Sequence, residues 1–395
     1  VKNELQNAAD AAALAGASVL FRSNPHCVAS GRPYSCCSGA GTGSCDPGLI
    51  DSDNVNMTAL AVAGMNYSGG SPAPAPTVEI GHYAFASSPG IPGTFTAAAP
   101  ASTYTQLSGW QTQSFSVLNG NANFINAVRA TVSRTDVPRF FSRIWSSSDL
   151  AITAQAVAYV GFAGNLMPSE VDQPIAICRQ SIVDASGNYT CNTGRMLNSG
   201  SDAATHNTAA WTNFTQPCET ANANSMRSLI CAQGNPRSIA FGEGIGATGG
   251  VQDTTAADLR RCFDPEGRTE PWSVTLPVID CPGNNPSNCA PVTGAVTVDI
   301  VWVTNNDANT DREFERESFP PSRMGNWSCP TTCSSRLCCW NDFVSHFNLQ
   351  NVEGMTATYA KKSIYFIPSC TVHEPTGNTG GENFGILARH PVLVH

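Results

Sequence analysis

The sequence predicts an α+β fold: a long N-terminal alanine-rich helix, a small β-β-α-β domain, and a mainly β, disulfide-rich C-terminal domain. Three observations predict it. Residues 4–17 read ELQNAADAAALAGA, a run built from the best helix-forming residue. Residues 77–86, 127–134 and 150–163 alternate apolar and polar side chains or carry strand-forming types. Sixteen cysteines run from Cys27 to Cys370.

The first element is a helix over residues 1–22. It contains no proline, and Asn24-Pro25 ends it. Asn3, Asn7 and Asp10 fall at i, i+4 and i+7 and form a polar stripe. Ala8, Ala9, Ala12, Ala13 and Gly16 form a small-residue face that lets another backbone approach closely. No capping residue precedes Val1, so the sequence predicts that the helix arrives from upstream. Residues 23–76 read as a cysteine-rich loop and linker, with Gly/Ser/Pro-rich segments at both ends.

Residues 77–165 form the α+β domain. TVEIGHYAFA (77–86), AVRATVSR (127–134) and LAITAQAVAYVGFA (150–163) are its strands. VPRFFSRIW (137–145) is a short helix, with Pro138 in its first turn. Residues 166–395 are the β-rich, disulfide-stapled domain. Its strands are SIAFGEGI (238–245), SVTLPVID (273–280), AVTVDIVWVT (295–304) and MTATYAKKSIYFIP (355–368). TAADLRRCF (255–263) and NDFVSHFNL (341–349) are short helices.

Composition narrows the function classes. Charged residues make up 13% of the 395, against roughly 25% in an average soluble protein. The polar but weakly charged chain suits an exported protein. The net charge of −9 argues against nucleic acid and anionic membrane surfaces as partners. No apolar run approaches the roughly 20 residues that span a bilayer. The cysteines are Cys27, Cys36, Cys37, Cys45, Cys178, Cys191, Cys218, Cys231, Cys262, Cys281, Cys289, Cys329, Cys333, Cys338, Cys339 and Cys370. Their even number and the absence of a C-x2-C zinc spacing make disulfides the expectation. An oxidising compartment follows, and with it an export signal upstream of Val1. Cys178 and Cys191 are read as closing a hairpin, and CPTTCSSRLCCW (329–340) as a disulfide knot rather than a thiolate metal site.

ELQNAADAAALAGA resembles the N-terminal signature of TadE/TadG-like proteins of the bacterial Tad (Flp) pilus-assembly system. Residues 126–178, from NAVRATVSRTDV through LAITAQAVAYVGFA to QPIAIC, resemble the conserved core of the same family. The resemblance covers about 1–22 and 77–180. It implies a membrane-spanning helix directly before the first segment and a location in the cell envelope (periplasm) or at the bacterial surface. Partners would be other pilus or secretion-machine subunits, or further copies of the chain, meeting at Ala8, Ala9, Ala12, Ala13 and Gly16. Some family members carry a metal site of the form D-x-S-x-S. The nearest string here, DASGN (184–188), ends in Asn188 instead of serine, so that site is not carried over.

The remaining cofactor candidate is calcium. Asp307, Asn309 and Asp311 occupy alternate positions of a turn in NNDANTDREFERE, where oxygen side chains can converge on a hard cation. The EF-hand glycine and final glutamate are replaced by Arg312 and Ser318, and a solvated acidic turn accounts for the same residues. DSDN (51–54) is a weaker copy. Catalytic motifs of the G-x-S-x-G, H-E-x-x-H and P-loop types are absent. Together with these absences, the resemblance implies a non-enzymatic structural component of a Tad/Flp-type pilus or its envelope machinery, assembled through its N-terminal helix. The alternative is a secreted or surface adhesin acting through the C-terminal β domain.

Overall fold

The structure is a computed structural model of the 395-residue chain. It describes residues 1–21, 49–86, 92–137, 150–191, 193–198, 209–219, 221–232, 234–249, 253–263, 268–282, 286–304, 323–350, 363–370 and 373–394. The fold mixes helices and strands and divides into two units, Val1–Gly161 with Leu387–His395, and Phe162–Ile386.

The first unit sets its two longer helices on a sheet. α1 (Lys2–Ser18) is the alanine-rich run. α2 (Ser52–Ala63) falls in a stretch that composition assigns to loop. The reason lies at its start: Asp51 is extended and its carboxylate accepts the Asp53 and Asn54 N–H groups at 3.0 and 3.3 Å. This is an N-cap, so the Asp51 carboxylate of DSDN serves a helix end. The sheet contains β1 (Thr77–Ala84), β2 (Thr94–Ala97), β3 (Ala127–Val137) and β4 (Leu150–Tyr159). Its order is β2-β1-β3-β4, with Val392–Leu393 beyond β4. All of these pairings are antiparallel. β1, β3 and β4 coincide with the three alternating stretches. The helix expected over 137–145 lies outside the described residues from 138 onward.

Alternation sorts the two faces of this sheet. Val128, Ala130, Val132, Ala154, Ala156 and Ala158 face the helices and are buried with Leu5, Ala8, Ala9, Ala12, Val55 and Ala59. Tyr83, Val157 and Tyr159 lie on the other face, where Phe85 meets both tyrosine rings edge-on. Glu79 and Arg129 are directly paired across β1 and β3, form an ion pair at 2.7 Å, and Arg129 stacks over Phe95. His82 is buried, with its two ring nitrogens 2.6 and 3.0 Å from the Phe124 and Asn119 carbonyl oxygens, a structural rather than chemical placement.

The second unit is built on a larger sheet. It contains β5 (Ile175–Cys178), β6 (Arg195–Asn198), β7 (Ala209–Thr212), β8 (Ala247–Thr248), β9 (Trp272–Ile279), β10 (Ala290–Val303) and β11 (Ser363–Pro368). The order is β6-β11-β10-β9-β5-β7-β8. Only β5 and β9 among the named strands of this order run parallel. α3 (Asp253–Phe263) and α4 (Arg336–His346) are the two longer helices of the unit. The main core combines β-sheet residues such as Val296, Val298, Ile300 and Phe366 with Phe263, Trp340 and Phe343 from the helices. SIAFGEGI supplies only the short strands Ile239–Ala240 and Gly244–Ile245, because Gly242 between them takes φ +86° and breaks the run.

Six disulfides tie this unit: Cys178–Cys281, Cys191–Cys370, Cys218–Cys289, Cys231–Cys262, Cys329–Cys339 and Cys333–Cys338, with Cα–Cα separations of 5.0–6.0 Å. The expected closure of a hairpin by Cys178 and Cys191 is corrected. Cys178 ends β5, whose parallel neighbour β9 leads directly to Cys281, so that residue is its partner. The hairpin itself exists: Val183 bridges Tyr189. Asp184 closes it by accepting the Ser186 and Asn188 N–H groups at 2.8 and 2.9 Å. Cys27, Cys36, Cys37 and Cys45 lie outside the described residues.

Candidate assembly surface

The small-residue face of α1 is placed where no partner subunit can reach it. Ala8, Ala9, Ala12 and Ala13 are 0% exposed, covered by this chain's own α2, β3 and β4. A Cβ on Gly16 would stand 3.1 Å from Val128 Cγ1 and 3.4 Å from Val55 Cγ1. The close approach expected of these residues is real, and its partner is intramolecular. An assembly contact at this face is therefore corrected: a helix of alanines lets the sheet come near, and that contact uses the face up. The polar stripe points the other way, with Asn3 and Asn7 exposed and Asp10 accepting Gln6 Nε2 at 2.8 Å.

Among the described residues, α2 carries an exposed apolar surface. One side of this helix, Val55, Ala59 and Ala63, is buried beneath α1. On the opposite side, Met57, Leu60 and Ala61 recur three and four residues apart and are exposed. Met57 is 63% and Leu60 41% exposed, and just past the helix Met65 and Tyr67 are exposed as well, at 76% and 64%. α2 carries no basic residue and a single acidic one, Asp53, in its first turn. Contiguous exposed apolar side chains mark interaction sites, and methionine adapts to irregular partners.

Local chemistry holds the chain just past the helix. Asn66 Nδ2 donates to the Val62 carbonyl at 2.9 Å and caps the end of α2. Tyr67 then enters a two-residue hairpin, Tyr67–Ser68 against Ser71–Pro72. Its turn is Gly69-Gly70, with φ +59° and +81°, the left-handed pair that a type I′ turn requires. The Gly69 N–H donates to Glu4 Oε2 at 2.8 Å, tying the hairpin to α1 and holding the Glu4 carboxyl below its ordinary value. The signal for this surface was in the sequence, as Asp51 followed by apolar residues at 57, 60, 61 and 65. The surrounding Gly/Ser/Pro-rich composition masked it.

One group of side chains at metal-ligand spacing occurs among the described residues. The Cys329, Cys333 and Cys339 sulfurs lie within 4.8 Å of one another, but each is in a disulfide and has no thiolate to offer. Asp307, Asn309 and Asp311 lie outside the described residues. In the second unit Asp172 accepts the Thr275 N–H, while burial pushes its carboxyl above the ordinary value. No helix of the described residues is long and apolar enough to cross a membrane.

Residues 3–158 match the model of the Tad-like Flp pilus-assembly family. The match coincides with the helix-on-sheet part of the first unit and stops before the second. No curated protein and no solved structure matches the chain.

Proposed function

We propose, from a first unit that is Tad-related over residues 3–158, that the chain is a non-enzymatic structural component of a Tad/Flp-type pilus or of the envelope machinery that assembles it. The family match supports involvement in pilus assembly and an envelope or surface location. The observation that carries the finer reading is the exposed face of α2, where Met57 and Leu60 form an apolar surface on the Tad-like unit itself, with Met65 and Tyr67 exposed just past the helix. In this reading that surface meets neighbouring subunits of the machine. α1, continued upstream by a hydrophobic segment, anchors the unit. The cross-linked second unit faces an oxidising space, as six disulfides require.

The test is a double variant, Met57→Glu with Leu60→Glu, produced in the native host. Both side chains point away from the core, so the melting temperature should stay within about 2 °C of wild type, given surface effects of about 0.5 kcal/mol. Pilus formation should be lost. Normal piliation with a stably folded variant would remove the α2 face from the proposal.

A second reading, a surface-binding protein working through the second unit, is favoured by one observation. That unit lies wholly outside the matched residues and holds every described disulfide. Calcium at Asp307, Asn309 and Asp311 would belong to this reading. Saturating calcium should then raise the melting temperature, since a ligand that binds only the folded state stabilises it. An unchanged melting curve removes calcium.

A further inference from the structure

The sheet of the first unit ends on an edge that the described chain covers only in part. Val392 and Leu393 pair with Tyr159 and Ala158 on the outer side of β4, and the Val394 N–H donates to the Val157 carbonyl at 2.9 Å. Between Val157 and the start of β4, no described strand lies on that side. Two contacts define which groups point outward. The Val157 carbonyl accepts from the tail strand, and the Gln155 carbonyl accepts Gln6 Nε2 at 3.0 Å. Ala151 and Thr153 share their parity, so the main-chain N–H and C=O groups of these residues are aimed off the sheet.

Proteins normally blunt such an edge with lysine, proline or a bulge. Leu150–Ala156 reads LAITAQA and contains no charge and no proline. The register shift nearby falls between Arg134 and Val137, on β3 instead of on the edge strand. Ala154 and Ala156 are buried under the helices, whereas Ala151, Thr153 and Gln155 are exposed on the other face.

We propose that this edge joins two copies of the chain, with their β4 strands antiparallel about a two-fold axis at Thr153. The open stretch is centred on that residue. Leu150 then lies opposite Ala156 of the second copy, Ala151 opposite Gln155, and Ile152 opposite Ala154. Two features select a second copy as the occupant. The edge already accepts an antiparallel strand at its 157–159 end, so the new strand continues an existing pairing. An identical uncharged edge places no like charges across the axis. The closed two-fold arrangement, with its axis perpendicular to the sheet, also keeps both helix layers on one side. The hydroxyl-bearing faces of Thr131, Ser133 and Thr153 then share the other side. Ala151 N–H of the second copy replaces Gln6 on the Gln155 carbonyl, and Gln6 keeps its bond to Asp10.

The test uses the full chain in sedimentation velocity across a concentration series, with amide hydrogen exchange read at single residues. Wild type should pass from monomer to dimer, and the Ala151 and Thr153 amides should gain protection as it does. Thr153→Pro removes an N–H aimed off the sheet and spares the pairing with β3. Thr153→Lys brings two ammonium groups together at the axis. Each should weaken dimerisation at least tenfold, with a melting temperature unchanged from wild type at concentrations where both are monomeric, and the lysine variant serves if the proline variant does not fold. A wild type monomeric at every concentration overturns the proposal. So does a dimer that survives both substitutions, which places the contact elsewhere. Protection of Ala151 and Thr153 that is independent of concentration overturns it too, because the chain itself would then fill the edge.

Discussion

In the first unit, 12 of the 21 residues in the cluster beneath α1 are alanine. In the second, the largest cluster contains eleven aromatic residues and two alanines. An alanine methyl contributes only about 0.8 kcal/mol on burial, so the first core gains mainly from helix propensity and from how near α1 comes to β3 and β4. The second core buries large side chains, such as Tyr365, Phe366 and Phe343 at 0% exposure. Its long irregular connections are cross-linked by six disulfides, whereas no described residue of the first unit is in one. The contrast teaches where each unit is fragile. The first fails when something is added, and the second when something is removed.

The largest expected effect is in the second unit. Cys178→Ser with Cys281→Ser opens a bridge with a sequence separation of 103. Its loss should cost about 3–5 kcal/mol. Calorimetry should show the transition of the second unit falling while that of the first stays; a joint fall would show that the two units do not unfold separately. The complementary change is Ala12→Leu. Ala12 is fully buried against the sheet, so the added carbons should destabilise the first unit by about 1–3 kcal/mol and spare the second. An unchanged stability would mean that α1 is loosely seated.

Asp51→Ala should cost about 1 kcal/mol by removing the cap of α2, measurable as faster amide exchange at Asp53 and Asn54. The smallest effect concerns pH. Glu4 is held below its ordinary carboxyl value of 4.5, first by the Gly69 N–H. A depressed folded value means that Glu4 supports the Gly69-Gly70 turn above pH 4.5. That support is lost as pH falls through the lower folded value. Glu4→Gln should abolish this pH dependence, read as the exchange rate of the Gly69 amide.

Parts of this architecture were legible residue by residue. AVRATVSR, SVTLPVID and AVTVDIVWVT are strands because their alternation or apolar density is local and strong. TAADLRRCF is a helix for the same kind of reason. α2 was not legible as a helix, because a single capping aspartate decided it against the loop-like composition on either side. The candidate surface was missed with it. The small-residue face of α1 was recognised correctly as a close-packing face, but nothing in its spacing says whether the backbone it meets is another chain or its own.

By itself, then, the sequence determined α1, the main strands, the oxidised state expected of the cysteines and the resemblance to Tad proteins. Each of these depends on side chains within a few residues of one another, or on composition. Only the tertiary structure decided that α1 spends its alanines on its own sheet, and that Cys178 bonds Cys281 and not Cys191. It alone brought Val392–Leu393 back to the edge of β4. Those outcomes depend on pairings across separations such as the 103 residues of the Cys178–Cys281 bridge. Which distant segment wins such a place is settled by the competition of all the packed alternatives, and no local pattern records it.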